Sequence, residues 1–125
     1  MASILIIDDD PVIRALVSSS LEAQGHTVIE AADGQAGVKA FDGARIELVV
    51  TDIVMPVQEG IETIGAIRRL SPTVPILAIS GSKTVGRYGD YLHAAAVLGA
   101  TATLPKPFSA ESLIEMIDEL LPPRK

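Results

Sequence analysis

The sequence predicts an α/β domain built on a parallel sheet with helices on both faces. Short apolar runs with β-branched residues recur at Ile4–Ile7, Thr27–Ile29, Leu48–Val50, Pro75–Ile79 and Ala102–Leu104. Between them, apolar residues recur at the spacing of a helix face. Strand and helix alternate five times, which is the pattern of βαβ units. Right-handed crossovers then constrain how the sheet is wound. The central run Leu48-Val49-Val50 has no polar residue to turn toward water, as in a strand buried on both faces.

Each element has its own reasons. Ile4–Ile7 stops at Asp8-Asp9-Asp10 and Pro11. Asp10 is a good N-cap and Pro11 suits the first helical position. Ile13, Leu16, Val17 and Leu21 form the apolar stripe of the first helix, which Gly25 ends. Thr27-Val28-Ile29 is a short second strand. Asp33-Gly34 opens a modest helix through about Phe41, and Asp42-Gly43 closes it. After the third strand, Pro56 and Gly60 break the chain before the next helix. That helix carries the stripe Ile61, Ile64, Ile67 and Leu70 and stops at Ser71-Pro72. The fourth strand ends at Ser80-Gly81, and a polar, glycine-rich stretch runs from Ser82 to Asp90. Tyr91, Ala95 and Leu98 share one face of a further helix, ended by Gly99. Tyr91 reads as a core residue. Ala102–Leu104 is a weak fifth strand and Pro105-Lys106-Pro107-Phe108 a turn. Ser109 caps a last helix with Leu113, Ile117, Leu120 and Leu121 inward, and Pro122-Pro123 terminates it.

The 125 residues suit one domain with a sizeable core, and no repeat or linker interrupts residues 1–125. There is no cysteine, which excludes disulfides and thiolate metal sites. The formal charge of −6 disfavours direct contact with nucleic acid or an anionic membrane and leaves room for a cation. No apolar run approaches the length of a membrane span, and no signal peptide is visible. A soluble cytoplasmic protein is expected. His26 and His93 read as surface residues with no assigned role.

The chemistry gathers where strands end. The first strand ends at Asp8 and Asp9, the third at Asp52, the fourth at Ser80 and the fifth at Lys106. In open α/β sheets that edge is where ligands bind. Three carboxylates brought together repel one another and call for a cation. With no cysteine, and no histidine nearby, the ligands are hard oxygens, which select magnesium or manganese over zinc. A lysine and a hydroxyl facing the same point suit an incoming anion. Metal, lysine and hydroxyl around a carboxylate are what phosphoryl transfer onto that carboxylate requires.

From Ile4 to Leu121 the sequence resembles a response-regulator receiver domain of two-component signalling. The resemblance rests on Ile6-Ile7-Asp8-Asp9-Asp10, on Asp52-Ile53-Val54-Met55-Pro56 with Gly60, on Ser80-Gly81, and on Lys106-Pro107-Phe108. It implies a flavodoxin-like, doubly wound sheet of five parallel strands in the order 2-1-3-4-5 with five helices. It also implies that Asp52 accepts a phosphoryl group from the phosphohistidine of a sensor histidine kinase or phosphotransfer protein. Asp9, Asp52 and the main-chain carbonyl of Val54 would bind magnesium directly, with Asp8 acting through water. Ser80 would hydrogen-bond a phosphoryl oxygen, and Lys106 would pair with the aspartate and then with the phosphoryl. Pro107 would hold a cis peptide. The domain would be a signalling module rather than an enzyme. No effector domain follows Leu121, so its output would be contact with a downstream protein or phosphorelay, the alternative being a receiver cut from a larger protein.

The chain departs from the family's pattern in three places. Thr103 stands where an aromatic residue commonly reports phosphorylation. The Ser80-to-Gly99 segment is a few residues longer than usual, with glycines at 81, 86 and 89. Val54 and Ser82 occupy the positions that often tune phosphate loss, and neither can position an attacking water, which implies slow self-dephosphorylation. The rival reading is a haloacid-dehalogenase-type phosphatase using Asp8 and Asp10, since Asp8-x-Asp10-x-Val12 follows an apolar strand. It lacks a cap domain and a late acidic pair on a strand end, and it leaves Asp52-x-x-Met55-Pro56 unexplained. A phosphate-free interaction module would have lost Asp52 or Lys106, and a flavin-binding flavodoxin would need a hydroxyl- and glycine-rich loop in place of the acidic triplet.

Overall fold

The computed structural model describes residues 2–42, 45–52, 57–80, 99–105 and 108–121. Five strands, β1 (Ser3–Ile7), β2 (Thr27–Ala31), β3 (Leu48–Asp52), β4 (Ile76–Ser80) and β5 (Ala102–Pro105), form one sheet. All pairings are parallel and the order is β2-β1-β3-β4-β5, the flavodoxin-like order that the resemblance implied. The described residues hold four helices: α1 (Pro11–Ala23), α2 (Gly34–Ala40), α3 (Val57–Leu70) and α4 (Ala110–Leu120). The helix expected around Tyr91, Ala95 and Leu98 lies outside the described residues, as do Tyr88 and His93.

Successive strand residues point to opposite faces, and the core divides accordingly. On one face Leu5, Ile7, Val49, Ile76 and Ala78 pack with Ile64 and Ile67 of α3, and α2 adds Ala36, Val38 and Ala40. On the other, Ile4, Ile6, Leu48, Val50, Leu77 and Ile79 pack with Val17 and Leu21 of α1 and with Leu113 and Ile117 of α4. Every residue of β3 is buried, as its uninterrupted apolar run requires.

The helix caps follow the sequence. Asp10 accepts hydrogen bonds from the N–H groups of Val12 at 2.9 Å and Ile13 at 3.4 Å, with Pro11 in the first turn. Asp33 accepts from Ala36 N–H at 2.7 Å, and Ser109 from Ser112 N–H at 3.0 Å. Gly25 follows α1 with φ of 93°, a conformation that favours glycine. Gly37 has a different role. A Cβ there would run into Ile7, so α2 approaches β1 at a point where only glycine leaves room.

Three expectations need correction. Leu16 and Leu70, read as inward members of helix stripes, are exposed by 56% and 58%. Each lies at the margin of its stripe, where the neighbouring layer does not reach. His26 is half-buried rather than a surface residue, and its Nδ1 accepts a hydrogen bond from Ala2 N–H at 3.1 Å.

Arg68 braces the far end of the sheet. Its guanidinium donates to the carbonyls of Gly99, Ser71 and Val74, the shortest contact being 2.6 Å to Gly99. Burial lowers its pKa from the ordinary arginine value. These carbonyls replace the water that burial removes.

Candidate functional site

The first group of site residues lies where β1 gives way to α1. Asp8 N–H donates to the carbonyl of Ala31 at 3.1 Å, which extends the β1–β2 pairing by one residue. The Asp8 side chain accepts from Asp10 N–H at 2.9 Å. Asp10 turns its own carboxylate to the helix N-terminus, so it acts as a cap, as its position suggested. Asp8 is buried and Asp9 exposed.

Asp52 comes from the neighbouring strand. It is the last residue of β3 and pairs with Ile79 of β4. Ile7 pairs with Thr51, so Asp8 and Asp52 occupy the next row at the C-terminal edge of the sheet. Both are buried, at 3% and 4% exposure. One row further, Ser80 ends β4 opposite Pro105. Lys106, which follows Pro105, lies outside the described residues, as do Val54, Ser82 and Pro107. Thr103 is half-buried in β5 and pairs with Ala78.

Asp8, Asp9 and Asp52 each offer a carboxylate oxygen, and these oxygens all lie within 4.8 Å of one another. The donor set fits a hard divalent cation. Magnesium takes oxygens at about 2.0–2.1 Å, which separates two of its ligands by roughly 3–4 Å. Two like charges about 5 Å apart repel by roughly 3 kcal/mol at an effective dielectric constant near 20, and the Asp8 and Asp52 oxygens lie within 4.8 Å of each other.

Two neighbours of the cluster, Arg14 and Glu30, carry no signal in the sequence. Arg14, in α1, donates from Nη1 to the carbonyl of Asp8 at 2.7 Å and from Nε to Glu30 at 3.1 Å. A basic residue one turn into a helix reads as solvated from sequence. The clue available was its place shortly after an acidic triplet.

A parallel sheet in this order, with Asp8 and Asp9 just after β1 and Asp52 at the end of the adjacent β3, defines a flavodoxin-like α/β domain with an acidic cluster at its ligand-binding edge. Residues 4–118 match the response regulator receiver domain family, and the chain belongs to that family. It is 33% identical to the transcriptional regulatory protein CpxR of Escherichia coli K12 over 121 residues, covering 97% of this chain and 50% of that protein. It is 28% identical to the transcriptional regulatory protein GlrR of the same strain, covering 26% of it. The chain thus spans between a quarter and a half of these curated relatives. Among solved structures, the chemotaxis protein CheY4 of Vibrio cholerae is 32% identical with a TM-score of 0.85, over 97% of this chain and 99% of that one. The receiver domain of NtrX from Brucella abortus is 30% identical with a TM-score of 0.83, over 94% and 97% of the two chains. None of these relatives favours the haloacid-dehalogenase reading. Among the described residues, no helix is long and apolar enough to cross a membrane.

Proposed function

We propose that this chain is a phospho-accepting receiver whose acceptor is Asp52. The observation that carries the reading is the convergence of the Asp8, Asp9 and Asp52 oxygens within 4.8 Å at the C-terminal edge of the sheet. An Asp52 carboxylate oxygen attacks phosphorus, and the nitrogen–phosphorus bond of a partner's phosphohistidine breaks. The partner is a sensor histidine kinase or a histidine phosphotransfer protein. A strand-end carboxylate held in the β3 ladder is suited to this role, because it is positioned before the partner arrives.

Asp9, Asp52 and the main-chain carbonyl of Val54 would hold magnesium directly and Asp8 through water, with manganese as an alternative. The chemistry such an ion would supply there is neutralisation of charge on the phosphoryl oxygens. Lys106 pairs with Asp52 and then with the phosphoryl group, and Ser80 donates to a phosphoryl oxygen. Phosphorylation adds charge and strong acceptor oxygens at this edge, and the response passes to a downstream protein through changed contacts. Thr103 is too small to act as the aromatic reporter, so the 81–90 segment, with its three glycines, carries the change. The reading is of a single receiver domain over residues 1–125 that completes the five-helix pattern. It acts in the cytoplasm as a signalling module, with no contact of its own to nucleic acid or membrane.

Mass spectrometry after incubation with acetyl phosphate and magnesium tests the reading. The parent gains one phosphoryl group and Asp52→Asn does not. Equal gain in both proteins rejects Asp52 as the acceptor.

A further inference from the structure

The main chain of Asp8 is held from both sides. Its N–H donates to Ala31 of β2, and its carbonyl accepts from Arg14 of α1 at 2.7 Å. Arg14 is aimed in turn by Glu30, the residue before Ala31, through the 3.1 Å contact to Nε. The arginine side chain is only 20% exposed, so this contact is partly shielded from water. The Asp8 carboxylate is itself engaged by Asp10 N–H. With its main chain clamped and its side chain steered, Asp8 presents its carboxylate in one orientation, beside Asp9 and Asp52.

We propose that Arg14, aimed by Glu30, is a positioning residue of the divalent-cation site. It locks the Asp8 main chain and so sets the spacing of the three aspartate oxygens. The inference rests on the reading that these aspartates hold a divalent cation. It ties the site to β2, a strand that contributes no ligand.

Charge and positioning predict opposite signs. A guanidinium close to three carboxylates competes electrostatically with a metal ion, so if charge were its only effect, removing it would tighten metal binding. If Arg14 holds the donors in place, removing it loosens them and weakens binding. Loss of an outer-shell partner of a metal ligand typically costs about 10–100-fold in affinity. Lysine separates the two effects further. It keeps the charge, but it lacks the rigid fork that reaches the Asp8 carbonyl and Glu30 together.

The test is calorimetric titration with Mg2+ of the parent, Arg14→Met, Arg14→Lys and Glu30→Ala, at a temperature where metal-free thermal unfolding shows each protein folded. Arg14→Met is expected to bind about tenfold more weakly or worse. Arg14→Lys is expected to lie between it and the parent, and Glu30→Ala to lose a few-fold in the same direction. Equal or tighter Mg2+ binding by folded Arg14→Met overturns the role. If Arg14→Met does not fold, Glu30→Ala decides: its carboxylate is 45% exposed, so little folding free energy is at stake, and unchanged affinity there overturns the role. A parent that binds no Mg2+ overturns the cation site and this role with it. A parent that binds Mg2+ no better than its Arg14 variants overturns the role alone.

Discussion

Asp8→Asn isolates the cost of gathering carboxylates. The amide keeps an oxygen to accept the 2.9 Å hydrogen bond from Asp10 N–H, and it removes one charge from a buried pair whose oxygens lie within 4.8 Å. The repulsion relieved is roughly 3 kcal/mol at an effective dielectric constant near 20, before other charges and relaxation reduce it. Burial of the Asp8 charge also carries a desolvation cost that the amide avoids. A net gain on the order of 1–3 kcal/mol is expected for the metal-free protein. For a chain of this size that is a rise in Tm of about 4 °C per kcal/mol. Magnesium reverses the ranking of gains. At one hundred times its Kd a ligand stabilises the folded state by about 2.7 kcal/mol. A tenfold loss of affinity in the variant leaves about 1.4 kcal/mol at the same concentration. The assay is thermal unfolding followed by far-UV circular dichroism, with a chelator and then with excess Mg2+. Asp8→Asn is expected to melt higher than the parent in chelator and to gain less from Mg2+. A variant that melts lower than the parent in chelator refutes the repulsion argument and makes the Asp8 carboxylate a structural acceptor.

Lys106→Ala is expected to keep the far-UV spectrum and the phosphorylation of the parent while losing phosphorylation-dependent partner binding; an unfolded variant would make the lysine structural. Thr103→Ala is expected to leave phosphorylation and partner binding within a few-fold of the parent, and amide exchange on phosphorylation is expected to change across residues 81–92 rather than at 103. Gly37→Ala places a methyl group against Ile7 and is expected to cost about 1–3 kcal/mol despite alanine's better helix propensity, read from a urea midpoint. Ser18 is buried, and its hydroxyl has no hydrogen-bond partner among the described residues. Ser18→Ala is therefore expected to raise stability by about 1 kcal/mol, and a fall in the urea midpoint would mean that the hydroxyl is satisfied.

The three aspartates were legible because strand ends are marked by chemistry that is local in sequence. An apolar run stops at a charge, and in a parallel sheet all such stops fall on one edge. The caps Asp10, Asp33 and Ser109 were legible for a similar reason, since a short side chain satisfies N–H groups two or three residues away. Strand bounds were less so. β2 runs on to Ala31 because Ile7 of β1 pairs with it, and β3 to Asp52 because Ile79 of β4 pairs with it, and pairing belongs to the neighbour as much as to the strand.

Periodicity alone determined which face of α1, α3 and α4 turns inward, but the width of the buried stripe depended on how far the facing layer extends. Val17 and Leu21 meet the sheet and α4, while Leu16, on the same helix, stays at 56% exposure. The clamp on Asp8 was decided wholly by tertiary structure. Arg14 and Glu30 lie 16 residues apart and meet only because α1 packs beside β2. A charged side chain leaves no periodic trace in a sequence, because its partner is set by which elements the fold brings side by side.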